Sequence, residues 1–483
     1  MQDERKLTVK EKALRINLDK SLYGSFAEIG AGQEVAANFF KAGGASGTIA
    51  KTMSAYDMSF SDAIYGKVGR YVCEERCLRM LDREYSLLET RLKSREKDTV
   101  FFAFANTVET INFARTNRGH GWIGFRFQLR PEAPVNQCVI HVILKDRDPN
   151  WQQEVIGIIG VNLIYACFYF SEPEDILNSL VDNMWKGRVE VDMFRLEGPD
   201  FSHVDNRLMA LKLVKNGMTR AAMFGHAGNV LQPSEALYKK NVIVLRGRFR
   251  PVTHVNVDML FAGRKMFKSE PDVHKENIMV LSELTLGDLQ GDGIIDEQDF
   301  LNRVDLLCSL GQNVMISNYP EYYRLVRHLT RLNSDQKVAL ILGLNNLQSV
   351  FDEKYYTTLK GGILEAFGIL FGRNVKFYVY PTLDKDGVKI IGLDDFKLPK
   401  RQRSLFKYLM DNNKLEAVRN VEAENLHIVS NNVLEMIRNQ EDGWESMVPH
   451  KVASEIKKKG LFKYKPKIEA NATDKTKAKV QAK

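Results

Sequence analysis

From residue 188 to about residue 380, short apolar segments alternate with segments of helical periodicity, and this alternation most constrains the fold. The apolar segments include "VIVLRG", "NIMVLSELTL", "NVMISNY", "VALILGL" and "VKFYVYP". Apolar strands separated by helices are typical of βαβ units, in which helices cover both faces of a parallel sheet. The pattern therefore predicts a Rossmann-like, doubly wound parallel sheet that binds ligands beyond the carboxyl ends of its strands.

The first part of the chain has its strands and helices grouped instead. A helical stretch at about residues 72 to 93 precedes the strand candidates "VFFAFAN", "GWIGFRFQLR" and "CVIHVILKD", and an apolar helix follows at residues 155 to 170. Grouped elements favour an α+β domain. We therefore predict three parts. They are an N-terminal α+β domain at residues 1–187, a Rossmann-like domain with C-terminal helices at 188–465, and a basic tail at 466–483.

The net charge of +8 is concentrated at the C-terminal end of the sequence. The last 27 residues hold ten lysines against Glu469 and Asp474, a surplus of eight, so the remainder is neutral. The tail is poor in apolar residues, which predicts a solvated, disordered extension. The neutral remainder of the chain thus gives no reason to expect nucleic-acid binding. Weak contact with RNA or anionic surfaces is expected only of the tail.

Three features indicate a cytoplasmic protein with no membrane partner. The first twenty residues carry charges where a signal peptide would have its apolar region. The longest apolar run, residues 155 to 170, is shorter than the roughly 18 to 20 residues that span a bilayer, so we expect a buried helix. The five cysteines are scattered and odd in number, unlike a disulfide framework.

The stretch "GRFRPVTH", residues 247 to 254, follows one of the apolar strands and opens a helix. Gly247 permits a close approach of backbone to ligand, and Pro251 fixes the turn. The polar residues from Thr253 to Asn256 lie at the start of the helix, where free N–H groups and the helix dipole attract phosphate. These residues predict an anion-binding turn.

The order Gly-x-Phe-x-Pro-x-(Thr/His)-x-x-His between a strand and a helix resembles the first signature of the nucleotidylyltransferase superfamily. Within that superfamily, the stretch resembles the nicotinamide and nicotinate mononucleotide adenylyltransferases. Gly247, Phe249, Pro251 and Thr253 match the signature, and Asn256 stands where the family has its second histidine. His254 is one place out of register with the signature and cannot simply substitute for that histidine.

The segment "IVSNNVLEMIRNQEDGWESMVPHKVASEIKKKGLF" resembles the closing segment of the same superfamily. Ser430, Asn431 and Asn432 take the places of two serines and a threonine, and Glu435 takes the place of an arginine. The resemblance covers roughly residues 240 to 465. The whole chain also resembles a group of bacterial cytosolic proteins of obscure function that share "EIGAGQEVA" and "GGASGTIAKT".

The resemblance implies a nucleotide-binding protein with ATP and Mg²⁺ as cofactors. Gly247, Phe249, Pro251, Arg248, Ser430 and Asn432 would bind the nucleotide, and Thr253 and Asn256 would be the catalytic residues. The implied reaction transfers AMP from ATP to a mononucleotide-like acceptor, and catalysis consists of positioning and charge stabilisation.

The departures from the family pattern weaken this reaction. Asn256 offers one neutral donor in place of a histidine, and Glu435 would repel pyrophosphate where the family has an arginine. A compensating cation could come from Arg246, Arg248 or Arg250, which prefer phosphate geometry, although all three could equally be solvated. The alternative is a non-catalytic scaffold or regulatory protein that retains the fold and self-assembles. We expect a homo-oligomer in either case.

The sequence "DLQGDGIIDEQD", residues 288 to 299, fits a calcium loop with Asp288, Asp292, Asp296 and Asp299 as candidate ligands. A strand precedes it where a calcium-binding helix pair needs a helix, and its last ligand is Asp in place of Glu. A strand-to-helix turn in which Asp296 caps the following helix explains the same residues.

Two glycine-rich stretches lie near the N-terminus. "FAEIGAGQE" is similar to the S-adenosylmethionine loop of methyltransferases, but the preceding "SLYGS" makes a poor buried strand. "GGASGTIAKT" is not a Walker A loop, because Lys51 directly follows an alanine where that loop has a glycine. It could form a ligand site from Ser46, Thr48 and Lys51, or a tight turn between helices.

Overall fold

The computed structural model describes residues 6–290, 293–332, 335–372 and 374–465. These residues form two compact units. The first ends at Ala236 and also includes Met315–Asn318, and the second begins at Leu237. The predicted basic tail at 466–483 lies outside the described residues.

The elements of the first unit are numbered in chain order. Its helices are α1 (Val9–Leu18), α2 (Glu34–Ala42), α3 (Met58–Tyr65), α4 (Glu74–Arg91), α5 (Pro149–Tyr169), α6 (Pro173–Ser179), α7 (Asn206–Lys215) and α8 (Pro233–Ala236). Its strands are β1 (Leu22–Gly30), β2 (Ile49–Ala55), β3 (Val100–Glu109), β4 (His120–Phe127), β5 (Asn136–Leu144), β6 (Val189–Glu197), β7 (Ala221–Phe224) and β8 (Val230–Leu231).

A six-stranded sheet with the order β2-β1-β3-β4-β5-β6 organises this unit. β1 is parallel to β2 and β3, whereas β3 to β6 run antiparallel to one another. The phenylalanine rings of β1, β3 and β4 pack with α5 in one hydrophobic core. α5 is a buried helix, as the sequence predicts. In the part of the chain that is described, no helix has both the length and the apolar character needed to cross a membrane.

Two features of the first unit differ from the sequence-based expectation. The predicted domain boundary between residues 187 and 188 falls inside this unit, because β6 pairs with β5 in its sheet. The segment judged a poor buried strand is β1, which lies between β2 and β3. A side chain at Gly24 would meet the Phe102 ring at 2.3 Å, so glycine at this position makes room for that ring.

The glycine-rich stretch at residues 43 to 52 forms a turn and the start of β2. The buried hydroxyl of Thr48 donates to the carbonyl of Asn17 at 3.0 Å. The Lys51 ammonium lies 2.7 Å from the Glu84 carboxylate. Both side chains thus have partners within the protein, which favours the reading of this stretch as a turn.

The second unit continues the numbering. Its helices are α9 (His254–Phe267), α10 (Leu286–Gln290), α11 (Glu297–Ser309), α12 (Tyr322–Leu332), α13 (Leu344–Val350), α14 (Gly362–Leu370), α15 (Lys400–Asp411), α16 (Ser430–Asn439) and α17 (His450–Lys459). Its strands are β9 (Asn241–Arg246), β10 (Ile278–Thr285), β11 (Asn313–Ser317), β12 (Val338–Gly343), β13 (Val375–Tyr380), β14 (Thr382–Leu383), β15 (Ile390–Ile391) and β16 (Leu415–Ala417). Residues 315–317 of β11 are those counted with the first unit.

The strands of this unit follow the order β16-β13-β12-β9-β10-β11. β9 is parallel to both β10 and β12, and β13 is parallel to β12 and β16. Counted along the chain, this is the strand order 3-2-1-4-5-6 of doubly wound nucleotide-binding sheets. Val242, Ile243, Val244 and Leu245 of β9 are all buried, as in a strand covered on both faces. The Rossmann-like, doubly wound sheet predicted from the sequence is confirmed.

Candidate functional site

A cavity of about 320 Å³ lies beyond the carboxyl ends of β9, β10, β11 and β12. The strand order reverses between β9 and β12, and a crevice at this point is where open α/β sheets bind ligands. The volume suits a small ligand. Its lining is polar and aromatic, and includes Arg246, Asp288, Tyr322, Asn346, Ser349 and Tyr355.

The turn between β9 and α9 lies next to this cavity. The Gly247 N–H donates to the Glu283 carbonyl at 3.1 Å, which continues the sheet pairing one residue past the strand. Phe249 has φ of 47° and is 2% exposed, so its ring is folded into the protein. A side chain at position 247 would lie 3.2 Å from that ring, and glycine avoids this contact. Pro251 and Thr253 are buried at the end of the turn.

Thr253 and Asn256 close the N-terminus of α9. The Asn256 Oδ1 atom accepts hydrogen bonds from the Thr253 backbone N–H at 3.0 Å and from the Thr253 hydroxyl at 3.2 Å. This is the reciprocal half of a capping box, in which the third residue of a helix reaches back to the capping residue. The Asn256 oxygen therefore has a structural role in the helix cap.

Arg246 at the end of β9 forms a buried ion pair with Glu283 of β10. Its Nε and Nη2 atoms each lie 2.9 Å from a Glu283 oxygen. Its remaining donors reach the Pro320 carbonyl at 2.9 Å and the Tyr319 carbonyl at 2.8 Å, and its guanidinium stacks on Tyr322. Burial alone would lower the pKa of Arg246, but the Glu283 charge raises it above its usual value. Arg246 is thus a neutralised part of the cavity wall.

The other arginines around the turn are also paired with carboxylates. Arg250 lies 2.8 Å from Asp299, and Arg303 pairs with the same carboxylate while donating to the Arg248 carbonyl at 3.2 Å. Arg248 is different, because its side chain is 64% exposed and its Nε lies 3.4 Å from Asp288. Charge-assisted hydrogen bonds are usually about 2.7 to 2.9 Å long, so Arg248 is the least constrained of these cations.

The charges around the turn nearly cancel. Four arginines face three carboxylates, which leaves one net positive charge: Arg246, Arg248, Arg250 and Arg303 against Glu283, Asp288 and Asp299. Arg248 is the most exposed of these four arginines. Its predicted contact with a nucleotide remains a prediction.

Phe249 and Asn256 also line a second, more apolar cavity of about 330 Å³. It lies along α9, and its other walls are β10 and the C-terminal part of α11. Val257 and Phe261 are its partly exposed rim. Of the residues predicted to bind the nucleotide or to catalyse transfer, Phe249 and Asn256 line this apolar cavity, and none is in the lining of the polar cavity. The polar cavity contains more hydrogen-bonding groups.

Ser430 and Asn432 lie in the first turn of α16. Ser430 is half-buried, Asn432 and Glu435 are exposed, and no side chain caps this helix. The chain leading to α16 passes α9, because the Glu422 N–H donates to Asp258 at 3.0 Å. The Tyr380 hydroxyl donates to the same carboxylate at 2.5 Å. The assignment of Ser430 and Asn432 to a nucleotide remains a prediction.

The candidate calcium loop has other roles in its described residues. Asp296 caps α11 by accepting from the Gln298 and Asp299 N–H groups at 3.0 and 3.1 Å. Asp288 and Asp299 face the arginines of the turn, and Asp292 lies outside the described residues. Within the described ranges, no group of three or more His, Cys, Asp or Glu side chains is placed to hold a metal ion. Calcium binding remains a prediction.

The first unit contains a buried polar chain that sequence reasoning did not connect. His141 lies 2.5 Å from Asp192 and 3.1 Å from His120, and Gln232 donates to Asp192 at 2.9 Å. Burial and the neighbouring His141 lower the pKa of His120 to about 4. The chain satisfies the polar groups of β4, β5 and β6 beneath α8.

The pairing of Arg246 with Glu283 was not foreseen, although the sequence carries a signal for it. Each is the one charged residue of a largely apolar strand, Arg246 in "NVIVLR" and Glu283 in "IMVLSELT". Charged residues in buried strands of one parallel sheet need partners, and adjacent strands supply them. Glu283 pairs directly with Arg246 in the register of β10 and β9.

Comparisons with known proteins give low similarity. No protein-family model matches the chain. No curated protein matches it. Among solved structures, it is similar to nicotinic acid mononucleotide adenylyltransferase of Plasmodium falciparum, at 12% identity and a TM-score of 0.30, over 47% of this chain and 98% of the other.

Competence or damage-inducible proteins are also similar. The protein from Agrobacterium tumefaciens is 17% identical, with a TM-score of 0.22, over 34% of this chain and 98% of its own. A CinA superfamily protein from Enterobacter cloacae is 13% identical, with a TM-score of 0.26, over 35% of this chain and 96% of its own. Similarity at this level assigns no activity, and the strand order of the second unit defines its fold class.

Proposed function

We propose that the second unit binds a nucleotide, with the phosphates at the turn between β9 and α9. The observation that carries this proposal is Arg248, an exposed and loosely paired cation beside the start of a 14-residue helix at the switch point of the sheet. The free N–H groups of the first turn of α9 and its dipole add to the attraction for phosphate.

The rest of the ligand would occupy the 320 Å³ cavity beyond the strand ends. Tyr355 offers an aromatic face, and Asn346 and Ser349 offer hydrogen-bonding groups. Where Arg248 turns towards a phosphate, Asp288 loses its cation and becomes available to a magnesium ion carried by ATP. A carboxylate beside the phosphates is a donor that Mg²⁺ prefers.

Transfer of AMP receives less support from the same geometry. The Asn256 oxygen accepts from Thr253, so this residue supplies no cation to a phosphate. Three of the four arginines around the turn are held by carboxylates at short distance. A neutralised turn of this kind also favours the second candidate function, a non-catalytic scaffold that retains the fold.

Titration calorimetry of the full chain with ATP, AMP and NAD, with and without Mg²⁺, tests the proposal. We expect binding of ATP that Arg248→Ala weakens by about 10- to 100-fold, the equivalent of a lost charge-assisted hydrogen bond of about 1.5 to 3 kcal/mol. Arg331→Ala is the control, because Arg331 is exposed in the last turn of α12, whereas Tyr322 at the start of this helix lines the cavity. The absence of heat with all three ligands would reject nucleotide binding and favour the scaffold.

A further inference from the structure

The two edge strands of the sheet in the first unit, β6 and β2, differ in the hydrogen bonding of their outward backbone groups. At β6, the Val191 N–H donates to the Met218 carbonyl, and the Asn206 side chain bonds both backbone groups of Leu196. At the other edge, β2 pairs with β1 and with no other strand of the described ranges. Across the described residues, no hydrogen bond from another segment reaches the outward backbone groups of β2. A strand edge of this kind is a template for one more strand.

The β2 edge lacks the features that normally block such pairing. Natural edge strands are protected by proline, by bulges or by charged side chains. The sequence "IAKTMSA" has no proline, and its pairing with β1 is irregular only at its start. Its single charge, Lys51, is neutralised by the buried Glu84 carboxylate 2.7 Å away. The backbone of β2 is therefore accessible to a partner strand.

Exposed apolar side chains lie at both ends of β2. After the strand, Tyr56, Met58 and Phe60 are 80%, 59% and 57% exposed. Before it, Leu18 and Phe40 are 64% and 54% exposed. These two lie at the turn that leads into β2, because Phe40 accepts from the Gly43 N–H and Leu18 adjoins Gly44.

We propose that β2 pairs with β2 of a second copy of this chain, antiparallel and about a two-fold axis at Thr52. A register centred on Thr52 is the one that pairs all seven residues of the strand. It places Lys51 opposite Met53, so that like charges do not face each other. The two sheets join into one continuous sheet of twelve strands, and the interface is isologous.

The two-fold axis also brings the exposed apolar residues that follow β2 in one copy close to those that precede β2 in the other. In this register, residue 56 of one copy lies opposite residue 48 of the other, and residue 58 lies opposite residue 46. Tyr56 and Met58 therefore approach the turn where Leu18 and Phe40 of the other copy are exposed. Each copy supplies the apolar surface that the other covers, which a single foreign peptide strand would not do.

Sedimentation velocity of the full chain from about 1 to about 100 µM tests the proposal, since dimerisation depends on concentration. We expect a dimer at high concentration. Thr52→Glu places two carboxylates opposite each other at the axis and raises the dissociation constant at least about tenfold, a change of about 1.4 kcal/mol. Thr52→Lys has the same effect. A 1:1 mixture of the two variants restores the dimer, because opposite charges then face each other.

Thr90→Glu is the matched control, because Thr90 is exposed on α4 and the same charge there leaves the dimer unchanged. Met58→Asp, which changes only the apolar end of the interface, also weakens the dimer. A monomer over the whole concentration range would overturn the proposal. A dimer that is equally stable in the Thr52 and Met58 variants would overturn it by placing the interface elsewhere.

Discussion

At the scale of single residues, Glu28 shows how the interior of the first unit depends on pH. Glu28 is 3% exposed in β1, directly across from Asn106 of β3, and it accepts from the Ala36 N–H at 3.3 Å. Burial raises the pKa of Glu28 to about 8. The folded protein thus holds a proton that the unfolded chain releases near pH 4.5.

The sign of the pH dependence follows from this raised pKa. The contribution of Glu28 to stability is fully present below about pH 4.5 and is lost as the pH rises towards 8, at about 1.4 kcal/mol per pH unit. We predict that Glu28→Gln removes this slope and is more stable than the wild type at pH 8. Urea unfolding of both proteins between pH 5 and pH 9 measures the difference.

Glu75→Gln provides the comparison for this experiment, because the Glu75 side chain is 59% exposed in α4. We expect its unfolding free energy to follow the wild-type curve. Parallel curves for Glu28→Gln and the wild type would show that Glu28 is ionised in the folded protein.

At the scale of elements, apolar content decides which parts of the fold can be predicted from sequence. β9 and β12 are apolar on both faces, so their sequences predict buried parallel strands. β1 also has a strand on each side, but it contains Gly24, because the Phe102 ring of β3 occupies the space where a side chain would lie. This glycine is required by a side chain distant in sequence, and no local pattern reveals that.

The N-terminus of α9 gives a prediction at the same scale. Asn256 accepts two hydrogen bonds from Thr253, so Asn256→Ala should lower the free energy of unfolding by about 1 kcal/mol. Asn256→Asp keeps the acceptor and adds a charge that the helix dipole favours, so its stability should equal or exceed that of the wild type. The same charge should weaken ATP binding if phosphate binds at this turn. Chemical unfolding and calorimetry of both variants measure the two effects.

Asp296→Ala is the reference for the loss of unfolding free energy on removal of a helix cap, because Asp296 caps α11 by accepting from two backbone N–H groups. An Asn256→Ala protein as stable as the wild type would contradict the capping role. Unchanged ATP affinity in Asn256→Asp would place the phosphates away from α9.

At the scale of the whole molecule, the sequence predicts where the candidate site lies but not its charge. The alternation of strands and helices predicts a crevice at the carboxyl ends, and the turn from Gly247 to Thr253 lies there. The neutralisation of the arginines depends on Glu283 and Asp299, which reach the turn from other elements. Ion pairs between distant segments are a property of the tertiary fold. Three arginines at alternate positions of one short stretch therefore do not by themselves predict a cationic site.

The distribution of charge along the chain gives the last prediction. Residues 466–483 hold five lysines against Glu469 and Asp474, so their deletion lowers the formal net charge from +8 to +5. Their low apolar content offers little surface to bury. We therefore expect the shortened chain to elute from heparin at lower salt. We also expect its melting temperature to lie within about 1 °C of that of the full chain, since a loss of about 1 kcal/mol of unfolding free energy would lower the melting temperature by a few degrees.

A second variant separates charge from length. Replacing Lys475, Lys477 and Lys479 with serine removes three positive charges and keeps the full chain. If charge alone controls retention on heparin, this variant and the shortened chain elute together, because screening acts on net positive charge and not on length. A melting temperature several degrees lower in the shortened chain alone would instead mean that these residues pack against the folded protein.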